Sequence, residues 1–371
     1  MTQKARTLLL PLVICISLVL ILPLHAYAAT SPSSSSDVPD QYVKASVADI
    51  IVEETDPTAP DGLRFHQQLR ITVLDGADAR SDVVVDYYAN TSKQRLSTGE
   101  EVVAVKVQGA DGAQYQIADV YRLPQLWWLL GLFFVLTLFF ARGRGISSLV
   151  GLIVSIAILA VFVIPKILAG WNPLGVSLSG AILIALISIY LAHGFSKRTS
   201  VALAGTLITL VLSVGLVALF VPFMKLFGIG TDEAAQLQVS NIDLRGLLMG
   251  GIIIGALGVL NDITTAQSAA IYELYDANPV LKMKELYKKG LRIGREHITS
   301  LINTLALTYV GAAFPLLLLL TLYPKPLWVV LNSEDIMQEI IRTLIGGLTL
   351  MFAVPITTFL AAYFISKKKK V

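Results

Sequence analysis

Two hydrophobic patterns divide the chain. Between residues 41 and 122, apolar and polar residues alternate in short runs, which is typical of half-buried β-strands. From Pro124 onward the apolar runs are continuous, and each is long enough to cross a hydrocarbon core of about 30 Å. The pattern therefore predicts a small β-domain followed by a polytopic α-helical membrane domain.

Five runs in the first part are predicted to be strands: Tyr42–Val52, Leu63–Leu74, Asp82–Tyr88, Glu101–Gln108 and Gln114–Val120. Asp-Gly and Thr-Gly pairs between the runs predict turns. Five short strands within about eighty residues are typical of a small barrel-like domain, OB-like or SH3-like. The pattern does not separate these two folds.

Seven spans are predicted in the second part, at about 124–141, 146–168, 174–195, 200–227, 242–268, 297–321 and 339–365. Basic residues cluster in alternate loops, around Arg142, Lys197 and Lys282–Arg295, and in the tail Lys367–Lys370. The intervening loops are poor in Lys and Arg. The positive-inside rule therefore predicts that the basic loops and the C-terminus are cytoplasmic and that the β-domain is extracytoplasmic.

The N-terminus has the pattern of a secretory signal. Lys4 and Arg6 precede the apolar run Leu8–Leu24, and small residues follow at Ala26 and Ala28. An uncleaved signal anchor is the alternative. The predicted organisation is a signal peptide at 1–28, a linker at 29–40, the β-domain at 41–122, the membrane domain at 124–366 and a basic tail at 367–371.

Composition and charge support this division. Of the 371 residues, 55% are hydrophobic and only 15% are charged. Residues 37–122 carry 15 acids and 8 bases, a balance of −7, whereas residues 123–371 carry 11 acids and 19 bases, a balance of +8. Because the bases lie at span ends and not on one soluble face, a nucleic-acid partner is not expected. The single cysteine excludes a disulfide within the chain.

The stretch with the most suggestive chemistry is Gly246–Glu273. It begins as a glycine-rich apolar span and then becomes polar, with Asn261, Asp262 and Thr265. An acid inside a span is energetically costly and indicates a functional site. If the stretch is one helix, Asp262 and Glu273 are eleven residues apart and face within about 20° of each other. This predicts a cation or proton relay, or part of a substrate path. Alternatively, Gly258 breaks the helix and Asp262 caps a second one.

The predicted sixth span carries a second polar group. Arg295 and Glu296 stand at its start, and Asn303 follows on a face that continues into the membrane. Asn303 is expected to hydrogen-bond to Asp262 at a similar depth. The alternative is a polar contact between helices that contributes only to packing. The predicted site therefore consists of Asn261, Asp262, Thr265, Glu273, Arg295, Glu296 and Asn303.

Enzyme chemistry has little support in the sequence. No phosphate-binding loop of the GxxxxGK[ST] type occurs, and the segment Gly175–Gly180 lacks the spacing of a nucleophile elbow. A second deep aspartate, which an intramembrane aspartyl dyad needs, is missing. No spaced pair of metal ligands accompanies His297. We therefore expect no catalytic residues, no metal site and no cofactor.

Two segments resemble the YibE/F family of bacterial membrane proteins. These are GALGVLNDITTAQSAAIYEL and GREHITSLINTLALTYVGAAFPLLLL, and the RGRG and IPKILAGW segments also fit. The resemblance spans roughly Pro124–Ile365, and the marks of the family fall on Asp262, Arg295 and Asn303. The resemblance implies a multi-pass plasma-membrane protein, and it implies no particular activity.

The residues themselves favour a transporter or permease in a bacterial plasma membrane, with Asp262 as the coupling or binding acid and Asn303 as its partner. The alternative function is a non-transporting envelope scaffold or signalling protein whose β-domain binds a partner. The expected partners are the lipid bilayer, anionic lipids at the basic cytoplasmic loops, and a second copy or an envelope protein that binds the β-domain.

The charge asymmetry makes the topology testable. Reporter fusions after Gly112 and near Thr231 are expected to be extracytoplasmic, and fusions after Lys197 and Lys289 cytoplasmic. Paired phosphatase and fluorescent-protein fusions measure both sides. A cytoplasmic signal near Thr231 would overturn the order of the spans.

Overall fold

The structure is a computed structural model that describes residues 41–55, 65–90, 92–109, 112–239, 241–322 and 325–368. The predicted signal peptide and linker, and the last three residues of the tail, lie outside the described residues. The described chain forms two compact units, one of which contains the sheet and the residues up to Leu136, while the other begins at Thr137.

The first unit contains one antiparallel five-stranded sheet. Its strands are β1 (Gln41–Thr55), β2 (Phe65–Val73), β3 (Asp82–Ala89), β4 (Glu101–Gly109) and β5 (Gly112–Val120), in the order β3-β2-β1-β4-β5. The five predicted strands are confirmed to within a few residues at their ends.

The long strand β1 bends the sheet. Its first part, Gln41–Ser46, pairs with β4, and the stretch Ala45–Thr55 pairs with β2 through two irregularities in register. Such irregularities bend a strand and increase its twist. The sheet therefore curves into a half-barrel, and β3 and β5 at its two ends come within 8 Å of each other. No ladder joins β3 to β5 among the described strands, so the predicted barrel is only half formed.

The inner face of the half-barrel follows the alternation in the sequence. In β2, Leu69, Ile71 and Val73 are buried and alternate with more exposed positions. The exception is Gln67, which is fully buried. Its amide both donates to the carbonyl oxygen of Leu96 (3.1 Å) and accepts from the Leu96 backbone N–H (2.9 Å). These two hydrogen bonds therefore hold the loop before β4 against the core.

Most of the described residues are helical. They are α1 (Leu123–Ile158), a π-helical turn (Leu159–Val163), α2 (Ile164–Leu168), α3 (Pro173–His193), α4 (Lys197–Phe223), α5 (Asp232–Leu237), α6 (Leu244–Ala277), α7 (Met283–Ala312), α8 (Phe314–Leu322), α9 (Leu327–Leu331) and α10 (Glu334–Lys368).

Among the described residues, six helical segments are long and apolar enough to cross a membrane, and α7 with α8, which are bent by 58°, form a seventh candidate. Two of the six, Leu123–Gly143 and Gly145–Leu168, follow each other along α1 and α2. They are separate segments because the backbone leaves the helical conformation at Arg142 (φ 52°, ψ −136°). The number and the order of these segments agree with the seven predicted spans.

Helix α6 is the centre of the second unit and packs against α3, α4, α7 and α10. Glycine makes the contact with α3 close. A methyl group on Gly250 would lie 2.7 Å from Cβ of Ser177 and 3.3 Å from the carbonyl oxygen of Pro173. In contrast, a methyl group on Gly258 of the same helix would meet no atom within 4 Å. Small residues at such contacts allow helix backbones to approach each other in lipid.

A carboxylate ties α10 to the loop after α4. Oε1 of Glu334, the first residue of α10, accepts from the backbone N–H groups of Phe227 (2.8 Å), Gly228 (2.7 Å) and Ile229 (3.1 Å). Gln338, one turn further along α10, donates to the same oxygen. One carboxylate oxygen therefore accepts hydrogen bonds from three backbone N–H groups of the loop that follows α4.

The two glycines of α6 offer a matched test of close packing. Gly250→Ala is expected to destabilise the protein by about 1–3 kcal/mol, because the added methyl group forces α3 away from α6. Gly258→Ala is expected to be neutral or stabilising, since alanine favours a helix by about 1 kcal/mol over glycine. Thermal unfolding in detergent measures both. Equal effects of the two substitutions would contradict the packing described for α3 and α6.

An ionic cluster on the half-barrel gives its stability a pH dependence. Lys106 and Tyr115 both donate to Oδ2 of Asp78, and the Tyr115 bond measures 2.6 Å. The hydrogen bonds from Lys106 and then from Tyr115 hold the pKa of Asp78 below its ordinary value. A carboxylate of lowered pKa stabilises the fold above its unfolded pKa of about 3.9, and this contribution is lost as the pH falls through the folded pKa.

We expect residues 37–122 to unfold cooperatively on their own, since the half-barrel has its own hydrophobic core. In this fragment Asp78→Asn should lower the urea midpoint at neutral pH, and the difference from wild type should shrink below about pH 4 and disappear only below the lowered folded pKa of Asp78. Glu54→Gln, at an exposed position of β1, is the control and should have little effect. A difference that persists unchanged in acid would show that the charge of Asp78 is not the cause.

Candidate functional site

Helix α6 runs without a break from Leu244 to Ala277, so the interpretation in which Gly258 ends one helix and Asp262 caps another is wrong. The residue that caps α6 is Asp243, whose carboxylate accepts from the backbone N–H of Gly246 at 3.0 Å. The helix continues through Gly258 because backbone groups in an apolar environment must pair within the helix. Asp262 therefore lies within a helix, about 27 Å from Leu244 at 1.5 Å per residue.

Asp262 faces a cavity of about 380 Å³ between α1, α3 and α6, which we call the polar cavity. Its polar lining consists of Ser148, Ser155, Ser188, His193, Asn261, Asp262 and Thr265. Three of the predicted site residues, Asn261, Asp262 and Thr265, therefore lie together.

Some polar atoms that line the polar cavity have no hydrogen-bond partner among the described residues. The amide nitrogen of Asn261 donates to Oγ of Ser188 at 3.3 Å, whereas its Oδ1 is buried and has no partner among the described residues. No described side chain hydrogen-bonds to the carboxylate of Asp262, although His193 interacts with it electrostatically. An unpaired buried acceptor is unfavourable by about 1–3 kcal/mol. The cavity therefore offers oxygen atoms to a proton, a cation or water.

A second cavity, of about 400 Å³, continues from the first, and we call it the terminal groove. It shares His193 and Thr265 with the polar cavity, and Ala266 and Ala269 line its floor. Glu273 lies at its far end.

The terminal groove ends at an ion pair between α4 and α6. Arg198 of α4 contacts Oε1 of Glu273 at 3.2 Å, and both side chains line the groove. Asp262 and Glu273 therefore lie on one face of α6, as predicted, and this face borders both cavities. It is closed at one end by a charge from a neighbouring helix.

The other three predicted residues lie elsewhere. Arg295, Glu296 and Asn303 are exposed on α7 and do not line the polar cavity, and no hydrogen bond joins Asn303 to Asp262 among the described residues. The expected pair is therefore not formed. The reason is the orientation of α7: its buried residues include Gly290 and Gly294, and Asn303 is nine residues after Gly294, half a turn away.

Sequence reasoning missed His193 and the serines of the polar cavity. His193 is the last residue of a span, where a polar residue is ordinary at a membrane interface. A signal existed for the serines, because Ser148 and Ser155 are seven residues apart and therefore share one face of α1.

Sequence reasoning also missed the buried polar contacts on the opposite face of α6. Gln267 is fully buried between α6, α7 and α10. Its amide nitrogen donates to the carbonyl oxygen of Gly290 (2.8 Å) and to Oγ1 of Thr358 (2.7 Å). Thr264 of α6 and Thr206 of α4 are also fully buried and share a hydrogen bond of 2.7 Å. These contacts hold helices together and do not border the polar cavity.

A second charged group lies near the start of α10. Arg342 pairs with Glu339 at 3.4 Å, and its guanidinium carbon lies 5.9 Å from the centre of the Tyr309 ring. Because the two charges are of opposite sign and adjacent, they neutralise each other. The Asp262 carboxylate has no such contact with a described arginine or lysine, which distinguishes the polar cavity as the candidate site.

Comparison with known proteins gives one match. A family model described as YibE/F-like protein matches residues 129–367, more than half of the chain. No curated protein and no solved structure matches. The matched region contains both cavities and the whole of α6.

Proposed function

The chain belongs to the YibE/F-like protein family, and from this premise we propose that it is an integral membrane transporter or permease that uses Asp262 as its binding or coupling acid. The observation that carries the proposal is the polar cavity between α1, α3 and α6, which contain membrane-length segments, where Asp262 lies beside His193 and the unpaired oxygen of Asn261.

The energetics of a membrane favour this function over a purely structural role. An ionisable side chain within a membrane-spanning helix is unfavourable, and it normally pairs with another group or faces a water-filled cavity. A structural acid in such a place is normally paired, as Glu339 is with Arg342. Asp262 instead borders a cavity that is large enough for water, and a carboxylate that water can reach is able to exchange a proton or a cation.

The ligand class follows from the atoms that line the polar cavity. The carboxylate of Asp262, Oδ1 of Asn261 and the hydroxyl groups of Ser188 and Thr265 are oxygen donors, which suit a proton or a hard cation. Among the described residues, no group of three or more His, Cys, Asp and Glu side chains could hold a metal ion. A proton or an alkali cation is therefore the proposed coupling ion.

The terminal groove supplies the route between the coupling site and one membrane surface. In the proposed orientation, with the basic loops in the cytoplasm of a bacterium, the groove leads from Asp262 towards the cytoplasm, and the Arg198–Glu273 pair lies at its exit. His193 borders both cavities, so its imidazole is placed to pass a proton between them.

Binding of the coupling ion is testable with purified protein in detergent. We expect one chloride salt in a series of Li⁺, Na⁺ and K⁺, or a change of pH, to raise the Tm of the wild type by about 3–6 °C at a hundredfold excess over Kd. Asp262→Asn should fold normally and lose this response, because it keeps the size of the side chain without its charge. Transport is then measured in liposomes with the same ion as the driving gradient.

Two controls separate the role of Asp262 from a general effect of charge. Asp276→Asn removes an exposed acid from the same helix and should keep the response. Asn303→Ala should keep it as well, since Asn303 lies outside the polar cavity. If Asp262→Asn responds like the wild type at every pH tested, the coupling role is wrong.

A scaffold or signalling function is the second candidate, and the half-barrel favours it. The edges of β3 and β5 have no ladder partner among the described strands, and a cavity of about 460 Å³ lies between them, bordered by Tyr87, Ile117 and Arg122. We infer an OB-like fold from the strand order. An open edge of this kind can accept a strand from a partner protein or a second copy. A phenotype that survives Asp262→Asn but not deletion of residues 41–122 would favour the scaffold function.

A further inference from the structure

A third cavity opens between α4, α6 and α10, on another side of the bundle. It measures about 670 Å³ and is lined by Lys197, Ser200, Val201, Ala204, Tyr272, Phe364 and Lys367. We call it the lysine cavity. None of its lining residues borders the polar cavity or the terminal groove.

The mouth of the lysine cavity carries two positive charges. Lys197 is the first residue of α4, and Lys367 is the last residue but one of α10, so both lie at the same end of this antiparallel pair. Neither lysine forms an ion pair with a described acid. Glu273, the acid next to Tyr272 on α6, is engaged by Arg198 and faces the terminal groove. The positive charge at the mouth is therefore not compensated by the described residues.

The interior of the lysine cavity is apolar. Val201 and Ala204 follow Lys197 by one and two turns of α4, so the cavity extends about 10 Å along the helix at 1.5 Å per residue. Phe364 forms the facing wall on α10, and the small side chain of Ala204 leaves room between the helices. Ser200 and Tyr272 also line the cavity, and the Ser200 hydroxyl is hydrogen-bonded to Ser196 and Tyr190. The cavity is therefore cationic at the mouth and mainly apolar further along α4.

We propose that the lysine cavity binds one anionic phospholipid, with the phosphate at Lys197 and Lys367 and an acyl chain along Val201, Ala204 and Phe364. This order of charge and apolarity matches that of a phospholipid, and basic pockets between spanning helices on the cytoplasmic side bind anionic headgroups. A role in topology requires only that lysines lie in the loops. It does not require two of them at the mouth of one apolar cavity.

The proposal rests on the membrane location in the proposed function, but not on Asp262. The test is native mass spectrometry of the full chain in detergent, with phosphatidylglycerol and phosphatidylcholine of identical acyl chains added in turn. The wild type is expected to retain one phosphatidylglycerol in preference to phosphatidylcholine. The double variant Lys197→Gln/Lys367→Gln should lower this preference by about five-fold for each lysine.

Three controls make the result specific. Lys288→Gln/Lys289→Gln removes the same charge from the exposed face of α7 and should keep the preference. Ala204→Leu, which narrows the apolar interior without changing charge, should lower retention of the lipid. Asp262→Asn should retain the lipid as the wild type does, so failure of the transport proposal is distinguished from failure of this one.

Equal retention of the two lipids by the wild type would overturn the proposal. So would an equal loss of the phosphatidylglycerol preference in Lys197→Gln/Lys367→Gln and in Lys288→Gln/Lys289→Gln. Competition by soluble glycerophosphoglycerol at the same concentration would also overturn it, because the occupant would then be a free phosphate compound and not a lipid.

Discussion

The close approach of α6 to its neighbours is the constraint on which the rest of the helical unit depends. Lipid supplies no hydrophobic force between helices, so their association depends on packing and hydrogen bonds. Gly250 lets α6 approach α3 at Ser177, and Gly290 lets α7 approach α6, since a methyl group there would overlap Cδ1 of Ile271. Because the backbone of α7 is this close, the amide of Gln267 reaches the Gly290 carbonyl oxygen. Glycine thus makes the polar contact possible as well as the apolar one.

Because of this packing, the two sides of α6 have different roles: one holds helices together and the other borders the cavities. The buried side of α6 holds Thr264 and Gln267, whose hydroxyl and amide groups hydrogen-bond to neighbouring helices. The side that carries Asp262, Thr265 and Glu273 borders the two cavities. A helix fixed on one side presents its other side at a constant position, which a binding site requires. A substitution on the open side can therefore change chemistry while the fold remains intact.

The sequence was sufficient to predict the strands and the apolar helical segments, because both depend on local periodicity. The choice of Asp262 as the candidate acid rests on the energetics of charge in lipid and stays a prediction. The sequence was not sufficient to predict which helix faces meet. Asn303 was expected beside Asp262 on grounds of depth, but its direction depends on how Gly294 seats α7 against Val354, a contact between distant segments. His193 was missed for the converse reason: only the fold brings the end of α3 next to α6. The depth of a residue within a predicted span follows from its position in the sequence, whereas the direction of its side chain depends on tertiary packing.

The carboxylate of Glu334 makes the α4–α10 pair mechanically asymmetric. Three backbone N–H groups after α4 converge on one oxygen at one end of the pair, whereas the lysine cavity parts the same two helices at the other end. Since α4 is about 40 Å long at 1.5 Å per residue, these two ends are about 40 Å apart. One end of the pair is therefore held by hydrogen bonds to a single carboxylate, and the other by side-chain contacts around a cavity. Loss of the Glu334 carboxylate would leave only side-chain packing to join the two helices.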